Sequence, residues 1–132
     1  MMRDLDLVKS LLLVVEQNPE MDGKTDFVFE SAQEIDSLGY GPKIIGHSSE
    51  EIGYHFKILI EEDFVDGVVD NGYTIPTIRC LRWKGHEFLD NIKNDDVWEA
   101  TKKRIADLPG IALSAVASIA LAEIKKKLGL PG

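Results

Sequence analysis

The chain has 132 residues, a net charge of −8 and 44% hydrophobic residues, which predicts a single soluble globular domain with at most a terminal extension. Its one cysteine, Cys80, excludes an internal disulfide and agrees with a reducing compartment. The start mixes acids and bases before Leu7, which is unlike a signal peptide, and the longest weakly polar run, residues 111–122, is too short to span a bilayer. We therefore expect a cytoplasmic protein with no membrane partner.

The charge is unevenly distributed along the chain. Residues 1–70 hold 5 Lys/Arg and 16 Asp/Glu, a balance of −11, whereas residues 71–132 hold 10 and 7, a balance of +3. Because nucleic acids are polyanions, the acidic first half is a poor candidate for binding them.

The first half of the chain predicts three helices. Apolar residues recur at helical spacing over residues 4–17, and Asn18-Pro19 ends that helix. Two capping boxes follow, Ser31 to Glu34 and Ser48 to Glu51, in which a serine and a glutamate three residues later satisfy each other's free amides. The helix that opens at Ser48 is expected to end near Asp63.

Short apolar runs between these helices could form strands. One is residues 27–29, and another is residues 43–45. Each is only three residues long.

A β-hairpin and three more helices are predicted next. Residues 64–69 form a strand, 70–72 a turn in which Asn and Gly accept positive φ easily, and 74–83 the return strand. Pro76 cannot donate a ladder hydrogen bond, so it marks a strand edge or start. The helices that follow are predicted at these positions: 84–92, 96–108 and 111–128.

The middle of the chain resembles a known class of regulators. Residues 51–65 are similar to the recognition helix and first wing strand of bacterial winged-helix regulators, with Asp63 where those proteins usually have glycine. Residues 81–90 look like the segment that leaves the wing. This resemblance implies an α+β, winged helix-turn-helix-like domain with a β-hairpin wing over residues 1–94, and a C-terminal helical extension over residues 95–132.

A second resemblance covers nearly the whole chain. The blocks Arg3 to Leu7, Gly46 to His55, Trp83 to Asp90, Val97-Trp98 and Lys126 to Leu130 together resemble domain-of-unknown-function family 2513, a family of small bacterial and phage proteins. Residues 19–40 are longer than that family's pattern, and Arg82 replaces a small hydroxyl residue. The resemblance implies no catalytic residues.

No motif in the chain predicts catalysis, a cofactor or a metal. His86-Glu87 followed by Asp90 has the outline of a His-Glu-x-x-His zinc site, but Asp90 replaces the second histidine and no third ligand is evident. His47 and His55 flank a capped helix, where a hydrogen-bonded structural histidine is expected. The chain is predicted not to be an enzyme.

Binding to DNA or to protein is the remaining choice. The exposed positions of the predicted recognition helix are expected to be Glu50, Glu51, Tyr54, Lys57 and Glu61, a mainly acidic face that repels phosphates. Candidate contact residues for a nucleic acid or a protein partner are these: Tyr54, Lys57, Arg79, Arg82 and Lys84. Arg79, Arg82 and Lys84 are candidates for a basic patch on the wing, which residues 102–104 would extend. The alternative interpretation is that all of these cations are ordinary solvated charges.

The last helix predicts an oligomer. Leu113, Val116, Ala120 and Ile124 form an apolar stripe that other apolar residues widen beyond one packing face, so we expect a homodimer interface there. Burial within the monomer is the alternative, and a helix lying on a membrane surface is disfavoured by its poor polar face.

These patterns lead to two main functional expectations, besides a third in which the acidic face mimics DNA and blocks a DNA-binding enzyme. The first is a non-catalytic regulatory or adaptor module of a bacterium or phage that acts through protein contacts. The alternative is a DNA-binding transcription regulator that uses the wing and the basic C-terminal half.

Overall fold

Six helices and two strands make up the parts of the chain that the computed structural model describes, residues 2–44 and 46–131. The fold is α+β, with one small antiparallel sheet. The elements in chain order are α1 (Leu5–Gln17), α2 (Ala32–Ser37), α3 (Ser49–Glu61), β1 (Val65–Val68), β2 (Thr77–Leu81), α4 (Trp83–Ile92), α5 (Asp95–Ile105) and α6 (Leu113–Lys127). They form two units, Met1–His86 and Glu87–Gly132, which divide within α4 rather than after residue 94.

Helix α1 supplies much of the core of the first unit. Its N-cap residue, Asp4, accepts a hydrogen bond from the Leu7 amide at 3.1 Å, and its buried residues repeat at helical spacing. They are Leu7, Val8, Leu11, Leu12, Val14 and Val15. The helix packs against α3 and β2.

Only one of the two predicted capping serines caps its helix. Ser48 Oγ accepts the Glu51 amide at 3.0 Å, as expected for the N-cap of α3. Ser31 precedes α2 but makes no side-chain cap hydrogen bond. Instead, the Ala32 amide donates to Ser49 Oγ at 3.2 Å, so α2 is capped by a residue of the next helix.

The hairpin is shorter, and its loop longer, than the sequence predicts. Val65 pairs with Leu81 and Val68 with Thr77, with a register shift after Asp66, so the loop covers residues 69–76. Asn71 organises this loop, because its Nδ2 donates to the Ile75 carbonyl and to Thr77 Oγ1 while its Oδ1 accepts the Tyr73 amide.

Neither predicted three-residue strand becomes one of these strands. Phe27 forms an isolated antiparallel bridge with Ile78, with backbone bonds of 2.9 and 3.0 Å, on the side of β2 away from β1. Lys43 and Ile44 are not in a strand, and the last residue of that prediction, Ile45, lies outside the described residues.

The turn from α3 into β1 depends on one residue in a left-handed conformation. Asp63 has φ = 66°, and it is the sole non-glycine residue with positive φ in the described part of the chain. The adjoining Phe64 amide bonds back to the Leu59 carbonyl at 2.8 Å. Asp63 therefore adopts the left-handed conformation that glycine usually supplies at this turn in the proteins the segment resembles.

The second unit is built from the rest of α4 with α5 and α6. Asn94 caps α5 through the Val97 amide at 3.1 Å, and α5 packs against α6. Phe88 and Trp98 meet edge to face, with ring centroids 6.4 Å apart. Thr101 is buried and satisfies its hydroxyl on the Val97 carbonyl at 2.7 Å.

The apolar stripe of α6 is largely covered in a single chain. Leu113, Val116 and Ala120 are at most 1% exposed, and Ile124 is half-buried. The first three therefore offer no surface to a second copy, because their side chains are already packed. A homodimer remains a prediction, and its interface would have to use other residues. None of the described helices is long and apolar enough to cross a membrane.

Candidate interaction surface

A tryptophan at the base of the hairpin is the most exposed aromatic side chain among the described residues. Trp83 is 78% exposed and begins α4, directly after β2. The reason is local: a Cβ on Gly85 would lie 2.1 Å from the Phe64 carbonyl oxygen, so residue 85 faces the hairpin backbone. Two residues along a helix are about 200° apart, so Trp83 points away from that contact.

The arginines of β2 and its end are neutralised by acids of the same unit. Arg79 Nε donates to Asp26 at 2.5 Å, and its Nη1 lies 3.7 Å from Asp66. Arg82 Nη2 donates to the same Asp66 at 3.2 Å. The hydrogen bond that Arg79 donates to Asp26, followed by the negative charge of Asp26, raises the pKa of Arg79 above its ordinary value. Two members of the predicted basic patch, Arg79 and Arg82, are thus ion-paired.

Lys84 is also turned back onto the hairpin. Its Nζ donates to the Glu62 carbonyl at 3.2 Å and lies 4.9 Å from the centroid of the Phe64 ring. The ammonium group is held locally, although it remains exposed.

The outer face of α3 has the composition that the sequence predicts. Tyr54 is half-buried, Lys57 is exposed, and the surrounding accessible side chains are acidic. These acids are the predicted Glu50, Glu51 and Glu61, together with Glu62, which directly follows the helix. Tyr54 leans on the next residue, His55, edge to face with centroids 5.3 Å apart. The face carries one cation among four acids, so it favours a neutral or basic partner surface.

Apolar side chains are also exposed at the other end of the hairpin. Val68 ends β1, and Tyr73 in the loop is 50% exposed. Trp83 at the base and Tyr73 at the tip therefore place an exposed aromatic ring at each end of the two strands. Tyrosine and tryptophan are enriched in protein interfaces, because they bury large area with few rotatable bonds.

Cys80 lies between the two arginines and is half-buried. Burial, followed by the negative charge of Asp66, raises the pKa of its thiol. A thiol in this state is a weak nucleophile, since the thiolate is the reactive form.

A histidine and two carboxylates meet where α1 and α3 begin. The ligand atoms of Asp4, His47 and Glu51 all lie within 4.8 Å of one another, and His47 Nδ1 is 2.8 Å from Glu51 Oε1. Imidazole and carboxylate are zinc-type ligands. Each carboxylate, however, occupies a helix N-terminus, where the helix dipole favours negative charge, and each already accepts a hydrogen bond or ion pair. The arrangement is explained by the capping of α1 by Asp4 and by the His47–Glu51 pair at the start of α3.

His55 connects these two helix starts and is fully buried. Its Nδ1 donates to the Glu51 carbonyl at 2.7 Å, and its Nε2 accepts the Asp4 amide at 2.8 Å. Because a carbonyl only accepts and an amide only donates, these partners fix the neutral tautomer with the proton on Nδ1. The prediction of a hydrogen-bonded structural histidine is confirmed.

The incomplete zinc motif is placed on the surface of α4. His86, Glu87 and Asp90 are exposed, and Asp90 lies 3.8 Å from Lys93. The metal-competent grouping found among the described residues contains none of the three.

Sequence reasoning did not single out Trp83, Asp26 or Asp66. The sequence pattern places Trp83 at the end of the predicted return strand, and only the glycine two residues later indicates that it faces outward. The pairing of Asp26 with Arg79 joins residues 53 positions apart, so no local pattern predicts it.

Comparison with known proteins places the chain in a family. The family described as "Hypothetical protein (DUF2513)" matches residues 2–112, which is most of the chain. The chain belongs to the DUF2513 family. A relative, an uncharacterised protein of Haemophilus influenzae, is 30% identical over 131 residues, covering 97% of this chain and 99% of its own length. No solved structure gives a significant match. The DUF2513 match includes the hairpin and Trp83, and it ends one residue before α6.

Proposed function

We propose that this DUF2513 protein is a non-catalytic regulatory or adaptor module that binds a protein partner through the base of its hairpin, with Trp83 as the anchor. The observation that carries the proposal is the 78% exposure of Trp83 beside Arg82, since tryptophan and arginine dominate the binding energy of protein interfaces. Covering such a ring removes a large apolar area from water.

The order of elements supports a winged-helix-like organisation for the first unit. The chain runs from α1 through the Phe27 bridge to α2, α3 and the β1–β2 hairpin. In a winged-helix interpretation, α3 corresponds to the recognition helix and the hairpin to the wing. We propose that this scaffold presents Trp83 to a protein.

The charges favour a protein partner over a nucleic acid. Phosphate contacts need cations that are free to replace counterions. Arg79 and Arg82 already share Asp26 and Asp66, and the outer face of α3 is acidic. A DNA duplex would have to break these pairs and approach a negative face.

Site-specific photo-cross-linking in the host cell tests the proposal. A benzoylphenylalanine at position 83 is expected to give one discrete protein adduct. The same photoreactive residue at Tyr40, an exposed aromatic position outside the hairpin, is the matched control and is expected to give no such adduct. Once the adduct partner is purified, Trp83→Ala should weaken its binding by about 2 kcal/mol, which is about 30-fold in Kd.

Three results would contradict the proposal. Equal adducts from positions 83 and 40 would show that the exposed ring is not selective. A Trp83→Ala variant that binds the purified partner as tightly as the wild type would remove Trp83 as the anchor. An adduct that contains DNA would favour the alternative below.

A DNA-binding transcription regulator is the second candidate, and the winged-helix-like order of elements is what favours it. Arg82 remains half exposed despite its pairing with Asp66, so it could exchange that partner for a phosphate. This function predicts salt-dependent binding of duplex DNA that Arg79→Ala or Arg82→Ala reduces, measured by fluorescence anisotropy. The absence of binding at low salt would rule it out.

A further inference from the structure

The second unit contains an open groove between α5 and α6, which we call the α5–α6 groove. Its volume is about 970 Å³, at the upper end of the range for small-molecule and peptide sites. Ala100 and Ala122 leave space between the two helices because their side chains are only methyl groups. The groove carries three cations and one acid: Lys103, Arg104, Lys126 and Glu123.

Two of the three cations in the groove are not neutralised. Arg104 Nη1 bonds to Glu123 Oε1 at 3.3 Å, which satisfies the acid. Lys103 and Lys126 are exposed, and neither has an ion-pair partner within the described part of the chain. This contrasts with the hairpin, where both arginines are paired.

We propose that the α5–α6 groove binds a short acidic peptide segment of a protein partner. Lys103 and Lys126 would hold its carboxylates, and the methyl groups of Ala100 and Ala122 with the exposed Leu130 would contact its apolar side chains. Charge complementarity selects this occupant, since the groove is positive and apolar at once. A long nucleic acid is disfavoured, because the chain as a whole carries a net charge of −8. The groove is a second contact surface, independent of Trp83.

Anisotropy of a fluorescein-labelled peptide of alternating glutamate and leucine tests the groove at low salt. The double variant Lys103→Glu/Lys126→Glu should weaken peptide binding by at least about tenfold. The matched control, Lys93→Glu/Lys125→Glu, makes the same change in net charge outside the groove and should leave the affinity within about twofold of wild type. A lysine–leucine peptide should not bind.

A steric variant separates a true groove from diffuse attraction. Ala100→Leu fills the space between the helices without changing any charge, and it should also weaken the peptide by about tenfold. If only the charge reversals matter and Ala100→Leu binds normally, the peptide is attracted to general surface charge and the proposal fails.

The remaining outcomes identify other occupants. Duplex DNA, added so that its total negative charge equals that of the peptide, is not expected to displace the labelled peptide. Displacement would overturn the proposal in favour of a nucleic acid. A dimer in sedimentation equilibrium that Lys103→Glu/Lys126→Glu dissociates would assign the groove to a second copy of the chain. Trp83→Ala is expected to leave peptide binding unchanged, so failure of this proposal and failure of the hairpin surface are told apart.

Discussion

Asp63 shows how one residue sets the path of the chain into the hairpin. A residue with a Cβ is disfavoured in the left-handed conformation by about 1–2 kcal/mol, and aspartate tolerates it better than most. Asp63→Gly should therefore leave the free energy of unfolding unchanged or raise it. The β-branched variant Asp63→Val should lower it by about 1–2 kcal/mol, because position 63 is exposed and a valine there has nothing to pack against.

Urea unfolding of the three proteins followed by circular dichroism gives this comparison. A valine variant as stable as the glycine variant would mean that residue 63 does not hold positive φ.

Cys80 provides a second residue-scale prediction, on pH. Because burial raises the pKa of its thiol, the thiolate fraction at neutral pH is lower in the folded protein than in the unfolded chain. Cys80 therefore makes the free energy of unfolding depend on pH. Its contribution to that free energy is fully present below the pKa of the unfolded thiol, and it is lost as pH rises through the pKa of the folded thiol.

The rate of alkylation by iodoacetamide, measured against pH, reports this difference. We expect the midpoint for native protein to lie at higher pH than for the same protein in urea. A native midpoint at or below the denatured one would contradict the raised pKa.

At the scale of the element, the two serines before α2 and α3 form a natural matched pair. Ser48 caps α3 through the Glu51 amide, whereas Ser31 makes no cap bond to α2. Ser48→Ala should lower the free energy of unfolding by about 1 kcal/mol, and Ser31→Ala should change it by less than about 0.5 kcal/mol. Thermal and urea unfolding measure both. Equal losses would show that the capping assignment is incorrect.

The sequence predicted most helices because capping residues and apolar periodicity are local. It missed the cap of α2, since the Ser49 hydroxyl that replaces Ser31 belongs to the following helix. It predicted the hairpin but not its long loop, because the bonds of Asn71 to Ile75 and Thr77 depend on the folded register. Tertiary partners, rather than propensity, decide these features.

The candidate surfaces were harder to predict than the elements. Charge pattern correctly gave the acidic face of α3, since exposed positions on a helix follow its period. It could not show that Arg79 and Arg82 are paired, or that three of the four predicted interface residues of α6 are already buried. Both facts depend on which distant segments come together.

For the whole molecule, charge separates the two units. Residues 1–86 hold 8 Lys/Arg and 16 Asp/Glu, whereas residues 87–132 hold seven of each. The first unit thus carries the entire net charge of −8 and the exposed Trp83, and the neutral second unit carries the unpaired lysines of the α5–α6 groove. This distribution fits a molecule with two different protein-contact surfaces.

The two tryptophans make the exposure pattern measurable in the intact protein. Trp83 is 78% exposed, and Trp98 is 4% exposed against Phe88, with Lys102 over its ring. Trp98→Phe should leave red-shifted emission that acrylamide quenches efficiently, since the remaining ring is in water. Trp83→Phe should leave blue-shifted emission that resists quenching. Indistinguishable spectra and quenching constants for the two variants would refute this placement.

The measurement that bears most directly on the account is the identity of what cross-links to position 83 in living cells. Mass spectrometry of the adduct, after separate digestion with nuclease and protease, is expected to find one protein, with no adduct from position 40. An adduct to DNA, or adducts of equal yield from both positions, would contradict the claim that the base of this hairpin is a protein-binding surface.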